Sequence, residues 1–175
     1  PGIALNSRQL CDLELLMNGG FSPLTGFMTR SDYGSVVRNM RLANDMVWPM
    51  PIILDVTEDV ALQARTHGAV ALFDPEGYLL ASMTVEDVWQ PDKTSEAENV
   101  YGTTDVNHPG VAYLKQQTKD WYIGGTIQGF DLPLHYDFND LRKTPAALRA
   151  QFEKEGWGTV VAFQTRNPMH KAHQA

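Results

Sequence analysis

A short β-type run followed by a dense polar turn is the feature that most constrains this chain. Residues 159–163 read Thr-Val-Val-Ala-Phe, and residues 164–173 read Gln-Thr-Arg-Asn-Pro-Met-His-Lys-Ala-His. Pro168 suits the first position of a helix, where its missing N–H costs nothing, and Asn167 then stands at the N-cap. Parallel α/β sheets bind phosphate groups at such turns between a strand and a helix N-terminus. The end of the chain therefore predicts the opening of a nucleotide-handling α/β domain.

The residues before it follow a different pattern, with helices first and short strands afterwards. Apolar residues recur at helical spacing after Ser7 and again after Ser31, and both serines suit an N-cap. Strands are predicted at 51–56, 69–73, 78–89 and 121–130. Residues 90–110 are polar and turn-rich, and a short helix is predicted at 111–118. This order predicts a small barrel-like α+β domain that carries its helices at the N-terminus.

Three local features of the sequence predict how parts of the chain pack. Gly124 and Gly125 interrupt a strand pattern, which predicts a bulge or a close approach of two backbones. Phe21 and Phe27 flank a loop and are expected to pack under it. Cys11 follows Leu10 and precedes Asp12-Leu13, and it is predicted to be a buried structural thiol.

Residues 131–139 have the composition of a linker, so we predict a first domain at 1–136 and a second unit at 137–175. In the second unit, Thr144 and Pro145 form a favourable N-cap and N1 pair, and Gly156 ends the predicted helix. Residues 157–163 are largely apolar and are predicted to be a strand covered on both faces. Only 39 residues follow the first domain, too few for a complete nucleotide-binding sheet.

Charge and composition limit the classes of partner. The 175 residues carry a net charge of −7. Residues 1–136 hold 8 Lys/Arg against 17 Asp/Glu, a net −9, whereas residues 137–175 hold 6 against 4, a net +2. The first part is therefore a poor candidate for nucleic-acid binding. No apolar run approaches the roughly 18 residues of a membrane helix, and no secretory signal is visible. One cysteine permits no internal disulfide, so a cytoplasmic location is expected.

The side chains of the polar turn suit an oxyanion. Arg166 offers a planar fork to a tetrahedral anion, Gln164 adds an amide donor, and His170 and His173 share one face of the predicted helix. Plainer interpretations stay open, since Asn167 can simply cap the helix and Arg166 can simply pair with a carboxylate. The spacing of His170 and His173 lacks the intervening Glu of known zinc helices, so no protein-bound metal is predicted.

The segment Gln164-Thr165-Arg166-Asn167-Pro168, followed by His170 and His173, resembles the signature of the ATP sulfurylase family. Segments 20–28, 48–52, 101–105 and 108–111 also resemble that family and occur in its order. The resemblance implies a PUA-like N-terminal domain, then the first β-α elements of a Rossmann-like domain of the HxGH nucleotidyltransferase type. It further implies that ATP and sulfate give adenosine 5′-phosphosulfate and pyrophosphate, with Mg²⁺ accompanying ATP.

The resemblance also implies roles for individual residues. Gln164 and Arg166 would hold sulfate. Thr165, Arg166 and Asn167 would surround the reacting centre. His170 and His173 would contact the phosphates of ATP. The expected mechanism is direct in-line attack of sulfate on the α-phosphate. The full-length protein is expected to be a homo-oligomer in the cytoplasm.

Later motifs of the family, including a Gly-Arg-Asp segment, do not occur in these residues, so we expect the chain alone to be inactive. Two alternatives remain open at this stage. One is another nucleotidyltransferase with the same pair of histidines. The other is a non-catalytic PUA-like binding module, against which the acidity of residues 1–136 weighs.

Overall fold

A computed structural model of the chain describes residues 1–165, Pro168 and Lys171. Within these residues the fold is α+β, as predicted. The helices are α1 Ser7–Met17, α2 Arg30–Asn39, α3 Glu58–His67, α4 Lys93–Tyr101, α5 Pro109–Gln116 and α6 Pro145–Lys154. The strands are β1 Gly2–Ala4, β2 Gly26–Phe27, β3 Leu54–Val56, β4 Ala69–Phe73, β5 Leu79–Trp89 and β6 Trp121–Gly129.

The six strands form one mixed sheet in the order β1-β4-β5-β6-β2, with β3 also paired to β6. β1 runs parallel to β4, and the other pairings are antiparallel. β5 and β6 are the long central strands, and β2 and β3 occupy successive stretches of the other edge of β6. The prediction of a small barrel is confirmed only in part. In the described chain the strand order ends at β1, of three residues, and at β2, of two, and no strand pairing joins them to close a barrel.

The pairing of β5 with β6 contains the irregularity predicted at the two glycines. The register shifts between Val85 and Asp87, opposite Gly125 and Gly124. A Cβ on Gly124 would lie 2.1 Å from the carbonyl oxygen of Met28, and one on Gly125 would lie 1.9 Å from that of Thr84. Both the bulge and the close backbone approach are therefore confirmed.

The core lies between the sheet and helices α1, α2 and α3. Its fully buried side chains include Leu13, Phe27, Leu54, Leu72, Met83, Tyr122 and Ile123. A second, smaller cluster of Ala97, Val111 and Leu114 joins α4 to α5. Phe27 is buried as predicted, and the half-buried Phe21 packs edge-to-face on Trp48, with ring centroids 5.7 Å apart.

Helices α1 and α2 have N-cap residues of the predicted kind, but these lie one or two residues earlier in the chain than predicted. Asn6, rather than Ser7, caps α1, and it forms a reciprocal capping box with Gln9. Thr29, rather than Ser31, caps α2. Thr144 caps α6 with Pro145 at its first position, as predicted. Ser and Thr or Asn are nearly equivalent as caps, so the sequence locates a helix start better than it selects the capping residue.

Two predictions about residues 1–136 were wrong. Cys11 is exposed, because it lies on the solvent side of α1, whose buried residues are Gln9, Leu13 and Leu16. The polar stretch 90–110 contains helix α4, capped by Asp92 and ended by Gly102 in the left-handed region. Its buried residues are only Glu96 and Ala97, so its apolar face was too narrow to read as a helical pattern.

Residues 157–163 were predicted to be a strand, and this was also wrong in the described structure. No strand is assigned there, and Trp157, Val161 and Phe163 are 55%, 89% and 63% exposed. A strand requires a neighbour to accept and donate its backbone hydrogen bonds. None of the described strand pairings includes these residues.

In the described part of the chain, no helix has both the length and the apolar composition required to span a bilayer.

Candidate functional site

The polar turn singled out by the sequence is only partly described. Gln164 and Thr165 follow α6 and the irregular residues after it, and both are exposed. Arg166, Asn167, His170 and His173 lie outside the described residues. The arrangement of these six predicted site residues is therefore not tested, and their roles stay predictions.

A second constellation, in residues 1–136, is fully described and was not predicted. Its centre is Arg8, in the first turns of α1. The guanidinium donates to the carboxylate of Asp12 at 2.7 Å and to that of Asp55 at 2.6 Å. It also donates to the carbonyl of Ile53 at 3.2 Å and to the hydroxyl of Tyr113 at 3.2 Å. Arg8 therefore connects helix α1, strand β3 and helix α5.

Asp55 is the most enclosed carboxylate of this constellation, with 2% of its side chain exposed. One oxygen accepts from Arg8 and from the Gln9 amide at 2.9 Å, and the other accepts from the backbone N–H of Lys119 at 2.9 Å. Burial of a carboxylate is costly unless it is paired and hydrogen-bonded, and Asp55 meets both conditions. Asp55 therefore fastens α1 and the residues just before β6 onto β3.

The electrostatics of α1 follow from this burial. Burial by itself lowers the pKa of Arg8, but the carboxylates of Asp12 and Asp55 outweigh it and the pKa is raised. Burial also raises the pKa of Asp12, although Arg8 opposes that shift. Arg8 is therefore charged at every pH of biological interest.

Glu96 of α4 forms the other half of the constellation. Its side chain is buried, with 5% of the residue exposed, and its Oε2 accepts from the hydroxyls of Tyr33 at 2.8 Å and Tyr122 at 3.3 Å. Burial raises the pKa of Glu96, and the two tyrosine hydrogen bonds only partly offset it. Burial and the adjacent Glu96 raise the pKa of both tyrosines, which stay protonated.

A cavity of about 160 Å³ lies between these two halves. Its walls include Arg8 and Asp12 of α1, Glu96 and Tyr101 of α4, Tyr113 of α5 and Tyr122 of β6. Residues 50–53, Leu114 and Thr118 complete the lining, so two of the family-like segments, 48–52 and 101–105, both contribute to it. Sequence reasoning missed this site, although one signal was present, since Asp55 interrupts the otherwise apolar run Ile52–Val56.

Comparisons with known proteins agree over nearly the whole chain. A family model described as "PUA-like domain" matches residues 1–132, and one described as "ATP-sulfurylase" matches residues 139–175. The sulfate adenylyltransferase of Saccharomyces cerevisiae is 51% identical over 97% of this chain and 33% of its own length. That of Schizosaccharomyces pombe is 48% identical over 99% of this chain and 36% of its own.

Among solved structures, the "Hexameric APS kinase from Thiobacillus denitrificans" is 37% identical, with a TM-score of 0.76. The match covers 99% of this chain and 30% of that one. The chain therefore belongs to the PUA-like domain family. Along its length it is a relative of the sulfate adenylyltransferases, as the sequence motifs predicted, and it spans about a third of the length of the curated relatives it matches.

Proposed function

We propose that this chain supplies part of a sulfate adenylyltransferase, with a PUA-like domain at 1–136 and the opening of the catalytic domain at 137–175. The observation that carries the proposal is about 50% identity to proteins of that name over 97–99% of the chain. The two family models meet between residues 132 and 139, which supports a boundary there. A Rossmann-like fold for the second part rests on the resemblance of residues 164–173.

The proposed reaction joins ATP and sulfate. A sulfate oxygen attacks the α-phosphorus, the bond from that phosphorus to the bridging oxygen of pyrophosphate breaks, and adenosine 5′-phosphosulfate and pyrophosphate leave. Sulfate is a weak nucleophile and must approach a polyanion. Catalysis therefore depends on neutralising both anions and holding the attacking oxygen in line.

Residues 164–173 provide donors of the required kind. Gln164 and Arg166 would hold sulfate, because an amide and a guanidinium donate hydrogen bonds and neither loses a proton near neutral pH. Thr165 and Asn167 would flank the α-phosphate. His170 and His173 would donate to the phosphate oxygens of ATP, near a helix N-terminus that favours the same negative charge. The exposure of Gln164 and Thr165 is compatible with contact to a ligand.

A divalent metal would accompany ATP in this reaction, and Mg²⁺ is the expected ion. Residues 164–173 contain no Asp or Glu, so this turn offers Mg²⁺ no carboxylate. The described residues likewise contain no group of three or more His, Cys, Asp or Glu placed to hold a metal. The sequence of this turn and the described residues therefore offer Mg²⁺ no carboxylate cluster, and the roles proposed for residues 164–173 do not include metal binding.

Assembly and location complete the proposal. The related protein from Thiobacillus denitrificans is described as hexameric, which supports a homo-oligomer for the protein that contains this chain. The proposed cytoplasmic location rests on the single cysteine of the chain, Cys11, whose thiol is exposed and can form no disulfide within the chain.

The test is sulfate-dependent release of pyrophosphate from ATP. It compares this chain with a chain extended to the length of its relatives. We expect turnover only in the extended protein and only with sulfate present. Arg166→Lys should lower kcat/KM for sulfate, because an ammonium cannot reproduce the two parallel hydrogen bonds of the guanidinium. Arg149→Lys, on the exposed surface of α6, is the matched control and should change little.

Sulfate-independent release of pyrophosphate, or dependence on a different acceptor, would contradict the proposal and favour another nucleotidyltransferase. Full turnover by the 175-residue chain would contradict the expectation that the remaining two thirds of the relatives' length are required.

A further inference from the structure

The cavity of about 160 Å³ between α1, α4 and α5 is lined by residues from Arg8 to Tyr122, none of which belongs to the segment 164–173 to which the proposed reaction is assigned. Two carboxylates reach it from different helices. Glu96 uses its Oε2 for the two tyrosine hydroxyls, and Asp12 uses its Oδ2 for Arg8. Within the described residues, the other oxygen of each carboxylate accepts no hydrogen bond.

These two oxygens are not sealed inside the protein. In the described part of the chain, the one buried side-chain nitrogen or oxygen without a partner is Nε1 of Trp89. Oε1 of Glu96 and Oδ1 of Asp12 are therefore accessible, and both residues line the cavity. A carboxylate that lines a cavity and has one oxygen without a hydrogen bond is best satisfied by a hydrogen-bond donor that enters the cavity.

The charged groups around the cavity favour a hydrogen-bond donor that carries a positive charge. Arg8 is one positive charge against the carboxylates of Asp12, Asp55 and Glu96. The nearby Lys93 is engaged by Asp120 at 3.1 Å and by the carbonyl of Thr118 at 2.8 Å. When the three carboxylates are ionised the site carries excess negative charge, which a cation would neutralise.

The walls indicate which kind of cation fits. Tyr101, Tyr113 and Tyr122 line the cavity, and the guanidinium of Arg8 already lies 6.0 Å from the ring centroid of Tyr113. Aromatic faces attract organic cations and pack against their alkyl groups. The described residues offer no cluster of metal ligands, so a metal ion fits this site poorly.

We propose that this cavity is a binding site for a small alkylammonium ion. The ammonium group donates to Oε1 of Glu96, the free oxygen of Asp12 adds electrostatic attraction, and the alkyl group packs against Tyr101 and Tyr113. The volume admits a guest of a few heavy atoms only. The site joins three elements that are distant in the chain, so an occupied cavity holds α4 and α5 against α1.

The experiment is a titration of the 175-residue chain with methylammonium chloride, followed by amide chemical shifts and matched for ionic strength with sodium chloride. We expect saturable shifts at Glu96, Tyr101 and Tyr113, with none for sodium chloride alone. Glu96→Gln keeps an acceptor for the two tyrosine hydroxyls but removes the charge. It should weaken binding roughly tenfold to a hundredfold, as loss of a hydrogen bond to a charged group implies.

Glu98→Gln is the matched control, because Glu98 lies on the same helix and is exposed. Its affinity for methylammonium should equal that of the unchanged chain. Asp12→Asn provides a second variant, which should weaken binding by less than Glu96→Gln and decides the question if Glu96→Gln does not fold. Shifts that do not saturate, or an affinity that neither variant lowers, would overturn the proposal.

Discussion

Replacing Gly124 with alanine tests the packing at the centre of the sheet. An added Cβ would lie 2.1 Å from the carbonyl oxygen of Met28, 2.7 Å from its carbonyl carbon and 2.9 Å from the Cα of Thr29. Comfortable contacts begin at about 3.5 Å, so β6 and the carbonyl oxygen of Met28 must separate by roughly 1.4 Å. The three nearest atoms all belong to the backbone, so rotation of a side chain cannot relieve these overlaps.

The magnitude follows from what that separation disturbs. Overpacking in a well-packed core costs about 1–3 kcal/mol. Movement of residue 28 also strains the adjacent pairing of β2 with β6 and the 3.0 Å hydrogen bond from Met28 N–H to Ile52, each hydrogen bond being worth about 1 kcal/mol. We expect Gly124→Ala to lower the free energy of unfolding by about 3–5 kcal/mol. For a chain of this size, that corresponds to a fall in melting temperature of at least about 6 °C.

The assay is thermal and urea unfolding followed by circular dichroism. Gly158→Ala is the control, because a Cβ there meets nothing within 4 Å. It should leave the melting temperature nearly unchanged. If Gly124→Ala melts together with Gly158→Ala, the backbone approach at residue 124 is wrong and the register of β6 must be revised.

Three further predictions concern the polar contacts of residues 1–136, each measured by urea unfolding. Asn6→Ala removes the capping box of α1 and should cost about 1 kcal/mol; no change would contradict the cap. Arg8→Met leaves the buried Asp55 without its cation and should cost about 3 kcal/mol, whereas Arg41→Met, at an exposed ion pair, should cost almost nothing. Because burial raises the pKa of Glu96 above its ordinary 4.5, its stabilising contribution is complete below pH 4.5 and is lost as the pH rises through the folded-state pKa. The stability of the unchanged chain relative to Glu96→Gln should therefore fall with rising pH, and a constant difference would contradict the burial of Glu96.

Local pattern was sufficient for much of the fold. Helices α1, α2, α5 and α6 and the hairpin β4–β5 occur close to their predicted positions, because each has a cap, an apolar stripe or a turn that its neighbours in sequence determine. The pair Gly124-Gly125 indicated a bulge for the same reason. Helices α3 and α4 were missed because each buries only two residues. The predicted strand at 157–163 was wrong because strand formation depends on a partner elsewhere.

Of the two candidate sites, one could be predicted from the sequence and the other could not. Residues 164–173 carry their chemistry in one continuous segment, so the sequence alone indicated an oxyanion-binding turn and its relation to the sulfate adenylyltransferases. The cavity near Arg8 is built from α1, α4, α5 and β6, and its lining residues range along the chain from Arg8 to Tyr122. From the sequence of a helix alone, a charged residue is interpreted as solvent-exposed. Only the tertiary structure decides which distant carboxylate its side chain contacts and how far both groups are buried. Sequence therefore determined the elements and the chemistry of the contiguous turn. Tertiary structure decided the pairing, the burial and the shifted pKa values of Arg8 and Glu96, because these depend on contacts between segments that no local pattern records.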